Sequence, residues 1–346
     1  MNGPFPPDAS LLGDQLRAVR ELVADDLVDE DGLLDLVGTL DGLGFDAEPP
    51  SLDLPDGERS ASTEIPRIRP ILVALAARAA GAREVDGEAQ VVAELLHLAL
   101  SAHDLALGRP RSLRRRVARK VIRRSVSWVA GNHLTLRALE LSRHGRPEVL
   151  EELVETLRSF ADAQALASAL VGAVPDEDDW LEHADVHVGA LFSFCCRVGG
   201  VLAGAPTAQL SALGRFGRHM GRLWHVAEDV AELEHGDAVR HVLHRAATGR
   251  PALPIVHLLA REPGLVDDWL ALAIEPDRRR AVGLVHALHN HGLHASREVM
   301  LQESWRARRA VQALPPSRYR RSMEALASGV AKSAFRKRGA GEPGEG

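Results

Sequence analysis

The stretch Ile71-Leu72-Val73-Ala74-Leu75-Ala76-Ala77-Arg78-Ala79-Ala80-Gly81 is apolar on almost every side when wound as a helix, and it ends at a glycine stop. A helix of that kind belongs inside a large bundle, because no face of it is suited to water. The following apolar run, Leu95-Leu96-His97-Leu98-Ala99-Leu100-Ser101-Ala102-His103-Asp104-Leu105-Ala106-Leu107-Gly108, reads as a second such helix with three polar residues inserted. His97 and Asp104 are seven positions apart, two turns of an α-helix, so they share a face with His103 beside them. A polar stripe on a helix of Leu and Ala is either a satisfied core feature or the wall of a polar cavity.

The rest of the chain repeats the helical period. Residues 1–9 form a Pro-rich tail, and residues 10–43 carry apolar positions at spacings of three and four, with a break near Asp31-Gly32. Residues 44–65, with Pro49, Pro50 and Pro55, read as a loop. Helical periodicity then covers 126–143, 147–171, 181–204, 208–234, 252–261, 266–274, 278–289, 293–314 and 316–332. Residues 336–346 are basic and Gly-rich and are expected to be disordered. No run alternates with period two and no longer repeat stands out, so the expected architecture is all-α, one domain over residues 10–335. Aromatic residues make up only 4% of the chain, while Ala, Leu, Arg and Glu are abundant, which also favours helix.

Several functions are disfavoured at this level. The net charge of -6 gives no global attraction to nucleic acid or to an anionic membrane. The start, Met1-Asn2-Gly3-Pro4-Phe5-Pro6-Pro7, lacks the basic and apolar regions of a signal peptide. No stretch approaches eighteen uncharged apolar residues, so no transmembrane segment is expected. Cys195 and Cys196 are adjacent, which disfavours a bridge between them and offers no C-x-x-C metal spacing; a reducing, cytoplasmic setting fits.

Two charged constellations remain. Arg109 to Arg124 is the densest positive charge in the chain and suits either a solvated basic face or an anion site at a cavity mouth. Nucleic acid fits it less well, because no aromatic residues are interleaved for stacking. The acidic constellation is Glu228-Asp229-Val230-Ala231-Glu232, at the end of a helix that includes Phe216 to Ala227. Three carboxylates on one side of a helix repel one another unless solvent or a hard divalent cation such as Mg²⁺ relieves them, and both readings stay open here. His286, His289, His291 and His294 lack the neighbouring ligands that would make a metal set, and Gly292 is expected to interrupt their helix.

In order along the chain, these segments resemble the trans-type polyprenyl diphosphate synthases. Ile65-Pro66-Arg67-Ile68-Arg69-Pro70 is similar to the family's G-K-R-x-R-P, and Leu96-His97 with His103-Asp104 to its L-H-x5-H-D-D-x-x-D. Ala130-Gly131-Asn132-His133-Leu134 resembles A-G-D-Y-L, and His187 to Phe192 stands where K-T-A-x-L-F is expected. Phe216 to Glu232 resembles F-G-x-x-x-G-x-x-F-Q-I-x-D-D-x-x-D, and Gly249 to Pro254 resembles G-K-P-T-L-P.

The resemblance implies an isoprenoid-synthase-type helical bundle around a central cavity. It implies diphosphate binding by Arg67, Arg69, His97, Arg114 and Arg115, and Mg²⁺ held by Asp104, Glu228, Asp229 and Glu232. In the family, such ions stabilise a departing allylic diphosphate while isopentenyl diphosphate attacks the carbocation. Against that pattern, Leu105 and Gly108 replace two of the first motif's aspartates, Pro66 and His187 replace two lysines, and Asn132 replaces an aspartate. Ala99 and Leu100 fall where the family sets product length.

The expected function is therefore a catalytically degenerate or regulatory subunit, as a homodimer or paired with a catalytic prenyl synthase, with isoprenoid diphosphates as ligands. The alternative is an active Mg²⁺-dependent prenyltransferase with an altered metal site. A class I terpene cyclase, resting on Asn132 and Glu140, is disfavoured because Leu136 stands where that motif needs a hydroxyl.

Overall fold

The structure is a computed structural model that describes residues 68–85, 87–107, 117–169, 173–234, 237–333 and 335; for 104–107, 117–127, 167–169 and 333 the backbone alone is described. The expected helices of residues 10–43, the loop 44–65 and the two tails lie outside these residues. Among the described residues there are helices and no strands.

The nearly all-apolar segment forms α1, Ile68–Ala79, in which every residue but Arg69 and Arg78 is buried. The helix with the polar stripe is α2, Gly87–Leu107. It packs most extensively against α3, Val117–His144, which is followed by α4, Pro147–Ala169. α5, Glu177–Ala184, starts at Asp176, whose side chain accepts the N–H of Asp179 at 2.8 Å as an N-cap.

One continuous helix was expected over 181–204. Instead α5 passes through a π-helical segment, Asp185–Gly189, into α6, Ala190–Leu202. A π turn accommodates an extra residue without breaking the helix and leaves no periodicity signal in sequence. It aims Asp185 at Arg222 (2.9 Å) and Arg218 (3.2 Å). The run Glu177–Leu202 is long and apolar enough by length and composition to cross a membrane, but 67% of its apolar window is buried within the bundle. α6 is a core helix, packed on α1, α4 and α7.

The 28-residue α7, Thr207–Glu234, is the central element, flanked by α6 and by α12, Gly292–Ala310. α6 and α7 approach closely at Gly217 and Gly221. A Cβ at Gly217 would overlap the Phe192 carbonyl, and one at Gly221 would overlap Val188 and Gly189. Only glycine fits at such a backbone contact.

After α7 come α8, Ala238–Thr248; α9, Leu253–Arg261; α10, Val266–Ile274; α11, Arg278–Asn290; then α12 and α13, Arg318–Ser333. α8 falls between the helices expected from periodicity; Asp237 caps its first turn and Gly249 ends it at φ 69°. α11 ends at Asn290, and Gly292 begins α12 against the carbonyl of Pro254.

Candidate functional site

α1, α2 and α7 carry the described positions singled out in the sequence: Arg69 on α1, His97 and Asp104 on α2, and the three carboxylates on α7. Arg67, Arg114 and Arg115 lie outside the described residues. Asp104 falls in the last turn of α2, and its side chain is outside them too. The remaining five, Arg69, His97, Glu228, Asp229 and Glu232, are described.

Arg69 is mostly buried on α1, with Nη1 4.0 Å from the Glu94 carboxylate of α2. Its charge also acts on Glu228, so these two sequence-selected residues face one region of the interior. His97 is half-buried on α2. Two turns on, His103 is held by Asn132 at 3.2 Å and stands against the Trp128 ring, with centroids 5.1 Å apart. Gly131 of α3 leaves room for it, since a Cβ there would run into the imidazole.

Phe160 lies on the other side of His103, and His187 of the π segment packs on Phe160 with centroids 5.3 Å apart. This ring series borders a cavity of about 440 Å³ between α2, α3 and α4, with Asn132, Thr135 and Gln164 among its walls. Ala99 and Leu100 are packed in the core. Of the terpene-cyclase pair, Asn132 is used by His103, and Glu140 is on the surface, paired with Arg137 at 2.8 Å.

The three second-motif carboxylates act on one another electrostatically but have different hydrogen-bond partners. Adjacent residues of an α-helix point about 100° apart, and this turn separates Glu228 from Asp229. Glu228 accepts the Trp224 indole N–H at 2.7 Å and keeps 47% of its side chain accessible. Partial desolvation among protein atoms still moves it up, to about 7, against the Trp224 hydrogen bond and Arg69; the charges of Asp229 and Glu232 add to the rise.

Asp229 is wholly buried, and its Oδ2 accepts the N–H of Leu253, the first residue of α9, at 2.8 Å. The helix N-terminus favours a negative charge there. Its Oδ1 accepts from Arg245 Nη2 at 2.7 Å. The same Nη2 donates to Glu232 Oε2 at 2.7 Å, and Arg245 Nε donates to that oxygen at 3.1 Å. Burial raises Asp229 to about 6; Arg245 and the Leu253 N–H oppose that shift, while Glu232 adds to it. For Arg245, burial acts downward, but the charges of Asp229 and Glu232 outweigh it and hold the guanidinium charged more firmly than usual.

At Asp229 and Glu232 the Mg²⁺ that the family resemblance implies does not fit the donors already in place. Mg²⁺ takes oxygen ligands in octahedral geometry at about 2.0–2.1 Å. Three of the four oxygens of Asp229 and Glu232 already accept N–H donors, and one donor group is cationic. Among the described residues no group of three or more His, Cys, Asp or Glu is arranged to hold a metal ion.

Arg245 lay outside the sequence reading because α8 did. Val239, Val242, Leu243 and Ala246 follow helical spacing between Asp237 and Gly249, and that signal was available.

Elsewhere, Glu303 of α12 is buried, with His219 Nδ1 at 2.7 Å, Arg306 Nη1 at 2.5 Å and Arg222 Nη1 at 3.8 Å. Burial acts to raise Glu303, but His219, Arg222 and Arg306 together hold it below its ordinary value. The histidines 289, 291 and 294 have separate local partners: His289 the Val285 carbonyl, His291 Glu262 and His294 Glu298.

An all-helical bundle with a buried acidic turn on one side and a histidine-bearing apolar helix on the other is the architecture of isoprenoid synthases. The pattern that defines the polyprenyl synthetase family matches residues 62–282, and the chain belongs to that family. The octaprenyl diphosphate synthase of Escherichia coli K12 is 26% identical over 274 residues, covering 75% of this chain and 84% of that protein. The nonaprenyl diphosphate synthase of Mycobacterium tuberculosis is 25% identical over 284 residues, covering 75% and 80%. Among solved structures, a decaprenyl diphosphate synthase from Rhodobacter capsulatus superposes with a TM-score of 0.63 at 23% identity, covering 94% of this chain and 97% of that one. A polyprenyl synthase from Caulobacter crescentus, in complex with calcium and isoprenyl diphosphate, gives a TM-score of 0.66 at 20% identity, covering 93% and 95%.

Proposed function

We propose that this chain is a polyprenyl-synthase homologue that does not elongate prenyl chains by itself and works as a subunit beside a catalytic prenyl synthase. The observation that carries this reading is the first motif's helix. α2 brings Asp104 to its last turn with Leu105 after it and Gly108 just beyond, where the family pattern has two further aspartates. An oxygen ligand lost from one wall weakens the electrostatic stabilisation of a departing diphosphate, which typically contributes a few kcal/mol per interaction to the barrier. The Pro66 and His187 replacements remove two lysine charges from the same task.

The pairing has its own support. Val129 and Leu136 on α3 and Val154 on α4 are exposed large apolar side chains of the kind that suits a protein partner. Either a second copy of this chain or a catalytic homologue would cover them. The ligand in this reading is an isoprenoid diphosphate. The apolar cavity beside His103 and Phe160 takes the hydrocarbon, and Arg69 and His97 contribute to the anion site. The setting is the cytoplasm.

The test combines two measurements. Affinity capture of the tagged chain from its own cells, followed by mass spectrometry, is expected to recover a prenyl synthase with both aspartate motifs. Purified alone with Mg²⁺, isopentenyl diphosphate and an allylic diphosphate, the chain is expected to form no elongated product. A stable lone monomer that captures no prenyl synthase would overturn the subunit reading. Elongated product that vanishes on Glu228→Ala would replace it with an altered but active prenyltransferase.

A further inference from the structure

We infer that Arg245 is the resident cation of the second acidic motif, occupying with its guanidinium the charge position that a divalent ion would need. This rests on the family membership but not on the subunit reading. Asp229 is buried, and both its oxygens are used, one by Arg245 and one by the α9 N-terminus. Glu232 accepts two N–H groups of the same guanidinium on one oxygen, with His241 Nδ1 a further 3.7 Å from it. A metal ion would have to displace these donors and also tolerate a fixed positive charge at hydrogen-bond distance.

The guanidinium is not placed there by chance of a long side chain. α8 is fixed by the Asp237 cap, by the left-handed Gly249 and by the buried side chains of Val242 and Ala246, one on each side of Arg245 along the chain. Moving Arg245 out would leave Asp229 buried and unneutralised. The cation therefore ties α8 to α7, and Asp229 carries the tie on to the start of α9. The second motif is built around an internal charge.

The test is Mn²⁺ binding to the full chain, read from loss of the free-ion electron paramagnetic resonance signal. The wild type is expected to show no Mn²⁺ site that depends on Asp229, so Asp229→Asn leaves its binding curve unchanged. Arg245→Gln is expected to gain affinity by about tenfold or more, because a like charge beside the carboxylates is removed. The double variant Arg245→Gln/Asp229→Asn is expected to lose that gain.

Wild-type Mn²⁺ binding that Asp229→Asn abolishes would overturn the inference, as would a folded Arg245→Gln with no gain. Arg245→Met, which keeps much of the aliphatic stem, gives the same measurement if the Gln variant does not fold. The wild-type comparison with Asp229→Asn needs neither. Failure of the subunit reading would instead appear as prenyl elongation, a separate readout.

Discussion

Replacing Arg245 by Gln should destabilise the chain in a way that depends on pH. In the native chain burial has already raised Asp229 to about 6 from an ordinary 3.8. Without the guanidinium the upward push is uncompensated, and Asp229 is expected to remain protonated at pH 7. Holding such an acid protonated at pH 7 costs roughly 4 kcal/mol at about 1.4 kcal/mol per pH unit, of which roughly 3 kcal/mol is already present in the native chain. The Asp229 part of the loss is then about 1 kcal/mol at pH 7. The hydrogen bonds to Glu232 add about 1 kcal/mol, kept small because Glu232 is 31% accessible and can turn to water.

The total is about 2 kcal/mol, a fall in Tm of roughly 3–5 °C for a domain of this size. The sign follows from linkage. In the variant the folded state keeps a proton that the unfolded state releases, so stability drops as pH rises above 7. In the wild type Asp229 is largely ionised there, and its contribution is flat. Urea unfolding at pH 6.5, 7.0, 7.5 and 8.0, each pH value chosen at roughly half-unit steps to resolve that slope, should show a deficit growing by about 1.4 kcal/mol per pH unit. A pH-independent deficit, or one below about 0.5 kcal/mol, would refute a committed Arg245–Asp229 pair.

Three further outcomes follow from the same structure. Glu303→Gln leaves His219, Arg222 and Arg306 around a buried neutral group, and should cost about 3 kcal/mol by urea unfolding. Gly217→Ala places a methyl against the Phe192 carbonyl at the α6–α7 crossing; a loss of about 2 kcal/mol or more is expected, visible as reduced thermal stability. Glu228 has a raised folded-state pKa, so its contribution is fully present below its ordinary value and is lost as pH rises through about 7. Glu228→Gln should therefore flatten the decline in wild-type Tm between about pH 5 and pH 9, the range that brackets that titration at about two units on either side.

The bundle was readable because its helices bury apolar faces at spacings that the chain repeats, as α1 and α7 show. The candidate site was readable in part. Glu228, Asp229 and Glu232 were correctly placed near the end of one helix, and Arg69 does reach Glu228 electrostatically. Their division into one accessible and two cation-bound carboxylates was not read, although adjacent helix positions diverge by about 100°.

The identity of the cation was harder still. Arg245 is sixteen residues from Asp229 along the chain, and their meeting depends on how α8 folds back on α7. The turn-like His235-Gly236-Asp237 masked the start of that helix. The π segment at Asp185–Gly189 was illegible for a different reason: one added residue shifts the helical phase without changing the composition.

The most direct measurement is elongation by the purified chain supplied with Mg²⁺, isopentenyl diphosphate and an allylic diphosphate. The expectation is no extended prenyl diphosphate above the protein-free control, with activity appearing only beside a catalytic partner. Extended product formed by the chain alone, and lost on Glu228→Ala, would contradict it.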